Sequence, residues 1–135
     1  MTNISGGCLC GQVRYTIVGE PIRSGICHCR ECQHYTGSAF EPFMIFPAAS
    51  VNIQGDLRSF RAIADSGNAI YRRFCPNCGS GVVNEGDGAP GMIIVLAGTL
   101  DDPTAFVPNV EIFCDTAWPW AHSVSERRRF RGMPA

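Results

Sequence analysis

The sequence contains no lysine: its 11 basic residues are all arginine, and 12 acidic residues bring the formal net charge to −1. A near-neutral chain without a basic stripe lacks the electrostatic footprint of a nucleic-acid-binding protein. The one basic run, ERRRFR at residues 126–131, is interpreted as a solvated terminal segment. No nucleic acid is therefore expected among the partners.

The sequence also lacks an apolar run of membrane-spanning length, internal repeats and low-complexity tracts. The opening MTNISGGCLC has neither the basic nor the apolar region of a secretion signal. These absences predict a cytoplasmic protein with no membrane partner. With 135 residues, 45% of them hydrophobic, the chain is predicted to form one domain over residues 1–135, of unspecified oligomeric state.

Eight cysteines stand out against this composition. In the cytoplasm thiols stay reduced, so clustered cysteines favour metal binding or catalysis over disulfide bonds. A single residue separates Cys8 from Cys10 and Cys27 from Cys29, and such neighbours form a disulfide only with strain. Cys114 is isolated in an apolar strand pattern and is expected to be a buried packing residue.

Period-two alternation and turn residues predict a mainly β fold. The stretch QVRYTIVG, residues 12–19, alternates apolar with polar positions, and further short strands are predicted at 43–47, 51–54, 57–62, 69–74, 80–83, 92–98 and 109–114. A hairpin is expected between 51–54 and 57–62 across Gly55 and Asp56. One short helix is predicted around Glu31 to Thr36, where a glycine follows.

The motif CPNCGS at residues 75–80 has the spacing of a zinc knuckle, in which two thiolates face one Zn²⁺. A structural zinc needs four ligands, so a second pair must come from elsewhere. Cys8 and Cys10, two apart at the predicted start of a strand, project to one side and offer that pair. The sequence therefore predicts a structural zinc site of Cys8, Cys10, Cys75 and Cys78. Alternatively, Cys8 and Cys10 are ordinary buried small residues.

The motif CHCREC leaves three more thiols, Cys27, Cys29 and Cys32, which make an incomplete tetrahedron. Three protein ligands and one open position distinguish catalytic zinc from structural zinc, so these cysteines are predicted to form a catalytic zinc site. His28 lies between two of the ligands and is expected to point away from the metal. His34 is the better candidate to close the fourth position, which would make the site structural.

Five motifs occur in the order and approximate spacing of a known family: GGCLCGQVRY, CHCRECQHYTGSAF, FCPNCGSGVV, AGTLDDP and WPWA. From about Gly6 to Phe130 the sequence resembles the glutathione-dependent formaldehyde-activating enzyme family, also called the GFA or CENP-V/GFA domain. The resemblance implies a β-tent fold, with a structural zinc at the CLC and CPNC cysteines and a catalytic zinc at those of CHCREC. It also implies condensation of formaldehyde with glutathione, a carbon–sulfur lyase reaction.

The chemistry of the CHCREC motif also favours a reaction between a thiol and a small aldehyde. Three thiolates around Zn²⁺ leave one net negative charge, which disfavours activation of water and favours a fourth sulfur. A thiol bound as thiolate would be nucleophilic at neutral pH and could attack a small aldehyde. Arg30 adjoins the cluster and is predicted to hold a substrate carboxylate, with Arg72 and Arg73 as further candidates. At least two of these three are expected to be ordinary surface arginines. Three phenylalanines either wall a pocket or belong to the core: Phe40, Phe43 and Phe46.

These observations lead to the hypothesis of a zinc-dependent carbon–sulfur lyase-type enzyme that acts on a thiol adduct of a small aldehyde, with glutathione as the first thiol to consider. The alternatives are a non-catalytic zinc-stabilised binding module and a thiol redox sensor. An open fourth position at the three-cysteine site would favour the enzyme. A fourth protein ligand there would favour the binding module.

Overall fold

The computed structural model describes residues 3–122 and 127–134, in which ten strands and one α-helix are found. The strands are β1 Asn3–Gly7, β2 Arg14–Val18, β3 Arg23–Cys27, β4 Glu41–Pro47, β5 Val51–Gln54, β6 Arg58–Ile63, β7 Ala69–Phe74, β8 Gly81–Gly86, β9 Met92–Leu96 and β10 Val110–Ile112. The helix is α1, Arg30–Thr36. The predicted mainly β fold and the predicted short helix are confirmed, whereas β1 and β3 were not predicted.

The strands form two sheets. One has three strands in the order β1-β2-β5, and the other has seven in the order β10-β3-β4-β9-β8-β7-β6. Neighbouring strands are antiparallel except β10, which runs parallel to β3. Within the described ranges, no helix is both long and apolar enough to cross a membrane.

The predicted hairpin between residues 51–54 and 57–62 is wrong. β5 pairs with β2 in the three-stranded sheet, and β6 pairs with β7 in the seven-stranded sheet. Gly55 has a φ of 100°. It lies so close to the segment before β2 that an added Cβ would be 2.2 Å from the carbonyl oxygen of Gln12. The Gly-Asp turn therefore carries the chain from one sheet to the other, because packing between the sheets outweighs the local hairpin preference.

The main core lies between the two sheets. On β2 the predicted alternation holds, and Tyr15 and Ile17 point inward with relative exposures of 1% and 0%. Met44 and Phe46 on β4 and Val95 on β9 meet them from the seven-stranded sheet and are fully buried. Each large apolar side chain buried in this way contributes about 1.5–3 kcal/mol, so this interface supplies the main stabilisation of the fold.

The opposite face of the seven-stranded sheet carries the groups of chemical interest. Residues directly opposite one another on paired strands share a face. Ile45 on β4 lies opposite Arg23 on one side and Ile94 on the other, and the row continues through Asn84 to Arg72. A second row joins Ile112, Cys27 and Glu41 at one end of the same face. Strand register therefore places apolar, charged and thiol side chains together.

The expected burial of Cys114 in a strand is wrong. β10 ends at Ile112, and Phe113 adopts a left-handed conformation with a φ of 57°. This turns the chain into a short 3₁₀ helix, Cys114–Thr116, where the Cys114 thiol is exposed. The apolar pattern of NVEIFC did not reveal this turn, because a positive φ is uncommon for a residue with a side chain such as phenylalanine.

Candidate metal centres

Four cysteines from two distant turns come together in what we term the first cluster: Cys8, Cys10, Cys75 and Cys78. Their sulfur atoms all lie within 4.8 Å of one another. The Cys8 and Cys10 sulfurs are 3.6 Å apart, and those of Cys10 and Cys75 are 3.8 Å apart. A tetrahedron with metal–sulfur bonds of about 2.3 Å has edges of about 3.8 Å, so the donor set fits a zinc-sized ion.

Backbone N–H groups point at the sulfurs of the first cluster in both turns. The N–H of Val13 donates to Cys8 Sγ at 3.2 Å, and that of Asn77 donates to Cys75 Sγ at 3.4 Å. Gly79, with a φ of 78°, donates its N–H to the carbonyl oxygen of Cys75 and closes the knuckle. The prediction that Cys8 and Cys10 lie at the start of a strand is wrong, because the pair lies in the turn after β1. In both turns a backbone N–H donates to a cysteine sulfur, from five residues further along the chain at Cys8 and from two residues further at Cys75.

Ser80 connects the two turns of the first cluster. Its Oγ accepts the backbone N–H of Leu9 at 3.1 Å and lies 3.3 Å from Cys78 Sγ. Hydrogen bonding from Ser80 lowers the pKa of the Cys78 thiol to about 5. A thiolate is the form that binds a metal, so this contact favours the ligating state.

The second cluster comprises Cys27 at the end of β3, Cys29 before α1, and Cys32 within α1. The Cys27 and Cys32 sulfurs are 3.5 Å apart, and all three sulfurs lie within 4.8 Å of one another. Cys29 is the N-cap of the helix, and its Sγ accepts the backbone N–H of Cys32 at 3.3 Å. Gly37 ends the helix in a left-handed conformation with a φ of 65°. The cap and the short helix therefore bring Cys29 and Cys32 to the same side.

Neither nearby histidine belongs to the second cluster. His34 is exposed, and its Nε2 lies 3.2 Å from Nη2 of Arg30. His28 is buried, and its Nε2 donates to Glu111 Oε1 at 2.8 Å. As expected, His28 points away from the thiols. In residues 3–122 and 127–134 the second cluster has three candidate ligands, all of them cysteines.

A cavity of about 390 Å³ adjoins the second cluster, and its three thiols form part of the wall. The other lining side chains include six large apolar ones: Phe43, Ile45, Ile70, Ile94, Ile112 and Phe113. Charged or polar lining residues are Arg23, Arg30, Glu31, Glu41, Asp65, Arg72 and Thr116. None of the four cysteines of the first cluster lines this cavity. Of the two clusters, the second is therefore the one that faces this cavity.

A buried ion-pair network touches the second cluster. Arg72, with 3% of its side chain exposed, donates to Glu41 Oε1 at 3.1 Å and to Glu31 Oε2 at 2.8 Å. Its Nη2 also lies 3.7 Å from Cys32 Sγ, and Asn84 Nδ2 donates to both oxygens of Glu41. Burial raises the pKa of Glu41, and the positive charge of Arg72 opposes that rise.

The surroundings of Cys32 disfavour a free thiolate. Its contact with Cys27, followed by burial and by the nearby Glu41, raises the pKa of the Cys32 thiol. Adjacent thiolates repel one another, and a bound divalent cation removes that repulsion and keeps coordinating thiols deprotonated. The chemistry of this donor set therefore fits a metal ion with a preference for sulfur.

Comparison with known proteins shows which family the chain belongs to. The family model described as glutathione-dependent formaldehyde-activating enzyme (GFA) matches residues 3–116. The chain belongs to the GFA family. A crystal structure of a Rhodobacter sphaeroides protein, a structural genomics target, is similar to this GFA chain with a TM-score of 0.60 and 18% identity, covering 79% of this chain and 97% of the other. That similarity supports the fold alone. A search of curated proteins found no match.

The three arginines near the clusters of this GFA chain have different surroundings. Arg72 lines the cavity, but its buried guanidinium is paired with two carboxylates, those of Glu31 and Glu41. Arg73, the next residue on β7, pairs with Glu85 at 2.9 Å. Arg30 is exposed at the cavity, where it donates to Gln33. Arg30 is thus the one of the three that is exposed and also lines the cavity.

The three phenylalanines Phe40, Phe43 and Phe46 also have different surroundings. Phe43 lines the cavity and lies over Gly25, where an added Cβ would come within 2.7 Å of its ring. Phe46 is fully buried in the main core between the sheets. Phe40 packs edge-on against His28, with ring centroids 5.8 Å apart. The pocket-wall interpretation therefore applies to Phe43 and the core interpretation to Phe46.

Two features of the GFA site were not predicted from the sequence. Glu41 was not selected, although it lies in phase with Phe43 and Ile45 on β4, and a carboxylate in an apolar alternation is a detectable signal. The second feature is a pair of hydrogen bonds that join Gln33 on α1 to Thr116 and Trp118. Gln33 Nε2 donates to the Thr116 carbonyl oxygen at 3.0 Å, and the Trp118 indole N–H donates to Gln33 Oε1 at 2.7 Å. No sequence pattern indicated this contact, because it joins residues 83 to 85 apart.

Proposed function

We propose that this GFA-family protein is a zinc-dependent carbon–sulfur lyase-type enzyme of the cytoplasm. It would form or cleave the adduct of a thiol, such as glutathione, with a small aldehyde. The observation that carries the proposal is a cluster of three thiols in the wall of a cavity of about 390 Å³. The second cluster would hold the catalytic zinc and the first cluster a structural zinc.

Zinc held by the three thiolates of the second cluster would supply a soft Lewis-acid position that lowers the pKa of an incoming thiol. The backbone N–H of Cys32 donates to Cys29 Sγ, and Arg72 approaches Cys32 Sγ at 3.7 Å. Such contacts orient the ligands and spread their negative charge. The apolar walls of the cavity limit the water that would compete with a thiol.

A non-catalytic binding module would be favoured by a fourth protein ligand at the second cluster. In the described parts of the chain no histidine, aspartate or glutamate joins the three thiols. A redox sensor would use the same thiols, and the 3.5 Å separation of the Cys27 and Cys32 sulfurs makes them its first candidates for oxidation. Both alternatives predict no acceleration of a reaction between a thiol and an aldehyde.

The test is NMR exchange spectroscopy of formaldehyde and glutathione with the zinc-loaded protein. We expect the protein to accelerate exchange between the free thiol and S-hydroxymethylglutathione. Cys29→Ser should abolish the acceleration, because it removes one of three ligands. Cys114→Ser is the matched control, because it replaces an exposed thiol outside both clusters and should leave the acceleration unchanged.

Thiol binding is measured separately with Co²⁺ in place of zinc. Addition of glutathione should change the sulfur-to-cobalt charge-transfer spectrum, and Cys29→Ser should remove that change. Absence of both exchange and spectral change, with metal shown to occupy the second cluster by elemental analysis, would refute the enzyme proposal. The binding module would then be the better interpretation.

A further inference from the structure

The cavity beside the second cluster is larger than the smallest aldehyde requires. Its volume is about 390 Å³. Formaldehyde has two heavy atoms, and a water molecule takes up about 30 Å³ of the liquid. Pockets of about 300–1,000 Å³ hold substrates of many heavy atoms. Space for a sizeable substituent therefore remains after a thiol sulfur and a carbonyl group are placed next to the cysteines.

The walls of that space are mostly apolar. Ile45 and Ile94 lie directly opposite each other on β4 and β9 and both line the cavity, with Phe43 beside them on β4. The same apolar side chains pack against Cys27 and Cys32. A polar substituent placed here would lose its hydrogen bonds to water without gaining replacements. An apolar substituent would gain from burial.

The charged groups of the cavity strengthen this selectivity. Arg72, the buried cation, is already shared between Glu31 and Glu41, so it leaves no buried positive charge for an anionic substituent. The two carboxylates would also repel an anion. Arg23 and Arg30 are exposed and mark the cavity opening, where they are suited to the carboxylates of a thiol such as glutathione.

We infer that the aldehyde acted on at this site carries an uncharged apolar substituent, such as a branched alkyl or benzyl group. The inference rests on the proposed function and names the substrate class for it. In the reaction the thiol sulfur forms a bond to the carbonyl carbon and the carbonyl π bond breaks. The thiol proton ends on the resulting oxygen, and the reverse step restores both reactants. No oxidant or reductant is needed.

The first measurement compares aldehydes with the zinc-loaded protein and glutathione. Phenylacetaldehyde and 2-methylpropanal represent the proposed class, formaldehyde lacks the substituent, and glyoxylate carries a charged one. The quantity compared is the acceleration over the uncatalysed reaction. Because one methylene in an apolar pocket changes selectivity by about 10-fold or more, we expect phenylacetaldehyde to exceed formaldehyde by at least about 10-fold. Glyoxylate should show the smallest acceleration.

The second measurement uses variants. Ile94→Phe places a larger side chain in the cavity wall and should lower the acceleration for phenylacetaldehyde relative to that for formaldehyde by about 10-fold or more. Ile63→Phe is the matched control, because Ile63 is 55% exposed on β6 and does not line the cavity. A readout independent of chemistry is binding of benzyl alcohol, followed by amide shifts of β4 and β9. Ile94→Phe should weaken this binding and Ile63→Phe should not.

The outcomes separate the inference from the proposed function. Preference for phenylacetaldehyde that Ile94→Phe removes, together with benzyl alcohol binding, supports the inference. Acceleration with formaldehyde alone, without benzyl alcohol binding, overturns the inference and leaves the proposed function standing. If benzyl alcohol binds but no aldehyde reacts with any thiol, the proposed function fails and the substrate assignment fails with it.

Discussion

Replacing Arg72 with methionine tests whether the buried ion-pair network stabilises the site. Methionine keeps the apolar stem but removes the guanidinium that is shared by Glu41 and Glu31. Glu41, with 4% of its side chain exposed, would then be a buried carboxylate without its cation. Removing one partner of a buried pair costs about 3–5 kcal/mol. Because Asn84 still donates to Glu41, we expect a loss near the lower limit, about 3 kcal/mol.

The adjacent residue supplies the control. Arg73 pairs with Glu85, but these side chains are 36% and 32% exposed. A partly exposed pair contributes about 0–1 kcal/mol, so Arg73→Met should cost about 1 kcal/mol or less. The two variants remove the same group from neighbouring positions of one strand. A difference between them therefore measures the effect of burial.

The assay is urea unfolding followed by far-UV circular dichroism. Free zinc is held constant, because bound metal adds to the apparent free energy of unfolding. The double variant Arg72→Met with Glu41→Gln should recover part of the loss, since the amide keeps the side-chain volume without the charge. Without Arg72, burial still raises the pKa of Glu41 and only hydrogen bonding, chiefly from Asn84, opposes that rise, so the difference from wild type should shrink on acidification as Glu41 takes up a proton.

Two results would refute this reasoning. One is a loss for Arg72→Met no larger than that for Arg73→Met. The other is additivity in the double variant, since residues in one network should show a coupling energy of about 0.5–3 kcal/mol.

Three further predictions concern the metal sites, pH and the helix end. Cys75→Ser should lower the melting temperature sharply because the proposed structural zinc contributes folding energy, whereas Cys29→Ser should lower it much less; equal losses would contradict the division of roles. Hydrogen bonds from Arg14 lower the pKa of Asp101 to about 2, so its stabilising contribution should be present above the ordinary carboxyl range and lost as pH falls through 2; a normal pKa by NMR titration would contradict this. Gly37→Ala should cost about 1–2 kcal/mol in chemical unfolding because the φ of 65° is left-handed and unfavourable for a residue with a Cβ, and an unchanged stability would argue against that conformation.

The sequence by itself determined the features that depend on a few neighbouring residues. The spacing of CPNC and the following glycine set the knuckle, because its N–H to sulfur contacts close within five residues. The helix at Arg30–Thr36 was predictable because its cap and its terminating glycine are adjacent to it. Alternation along β2 likewise indicated which side chains enter the core. Local backbone geometry and side-chain periodicity carry this information without reference to the rest of the fold.

Tertiary structure decided which of these local pieces meet. Cys10 and Cys75 are 65 positions apart in sequence, and their sulfurs approach to 3.8 Å only because the turns after β1 and β7 are packed together. Arg72 and Arg73 look equivalent in the sequence, yet strand pleating sends the first into a buried pair of carboxylates and the second to a partly exposed one. The turn at Gly55 was predictable, but the sheet that follows it was not. Burial and charge pairing depend on long-range packing, which outweighs local preference wherever the two disagree.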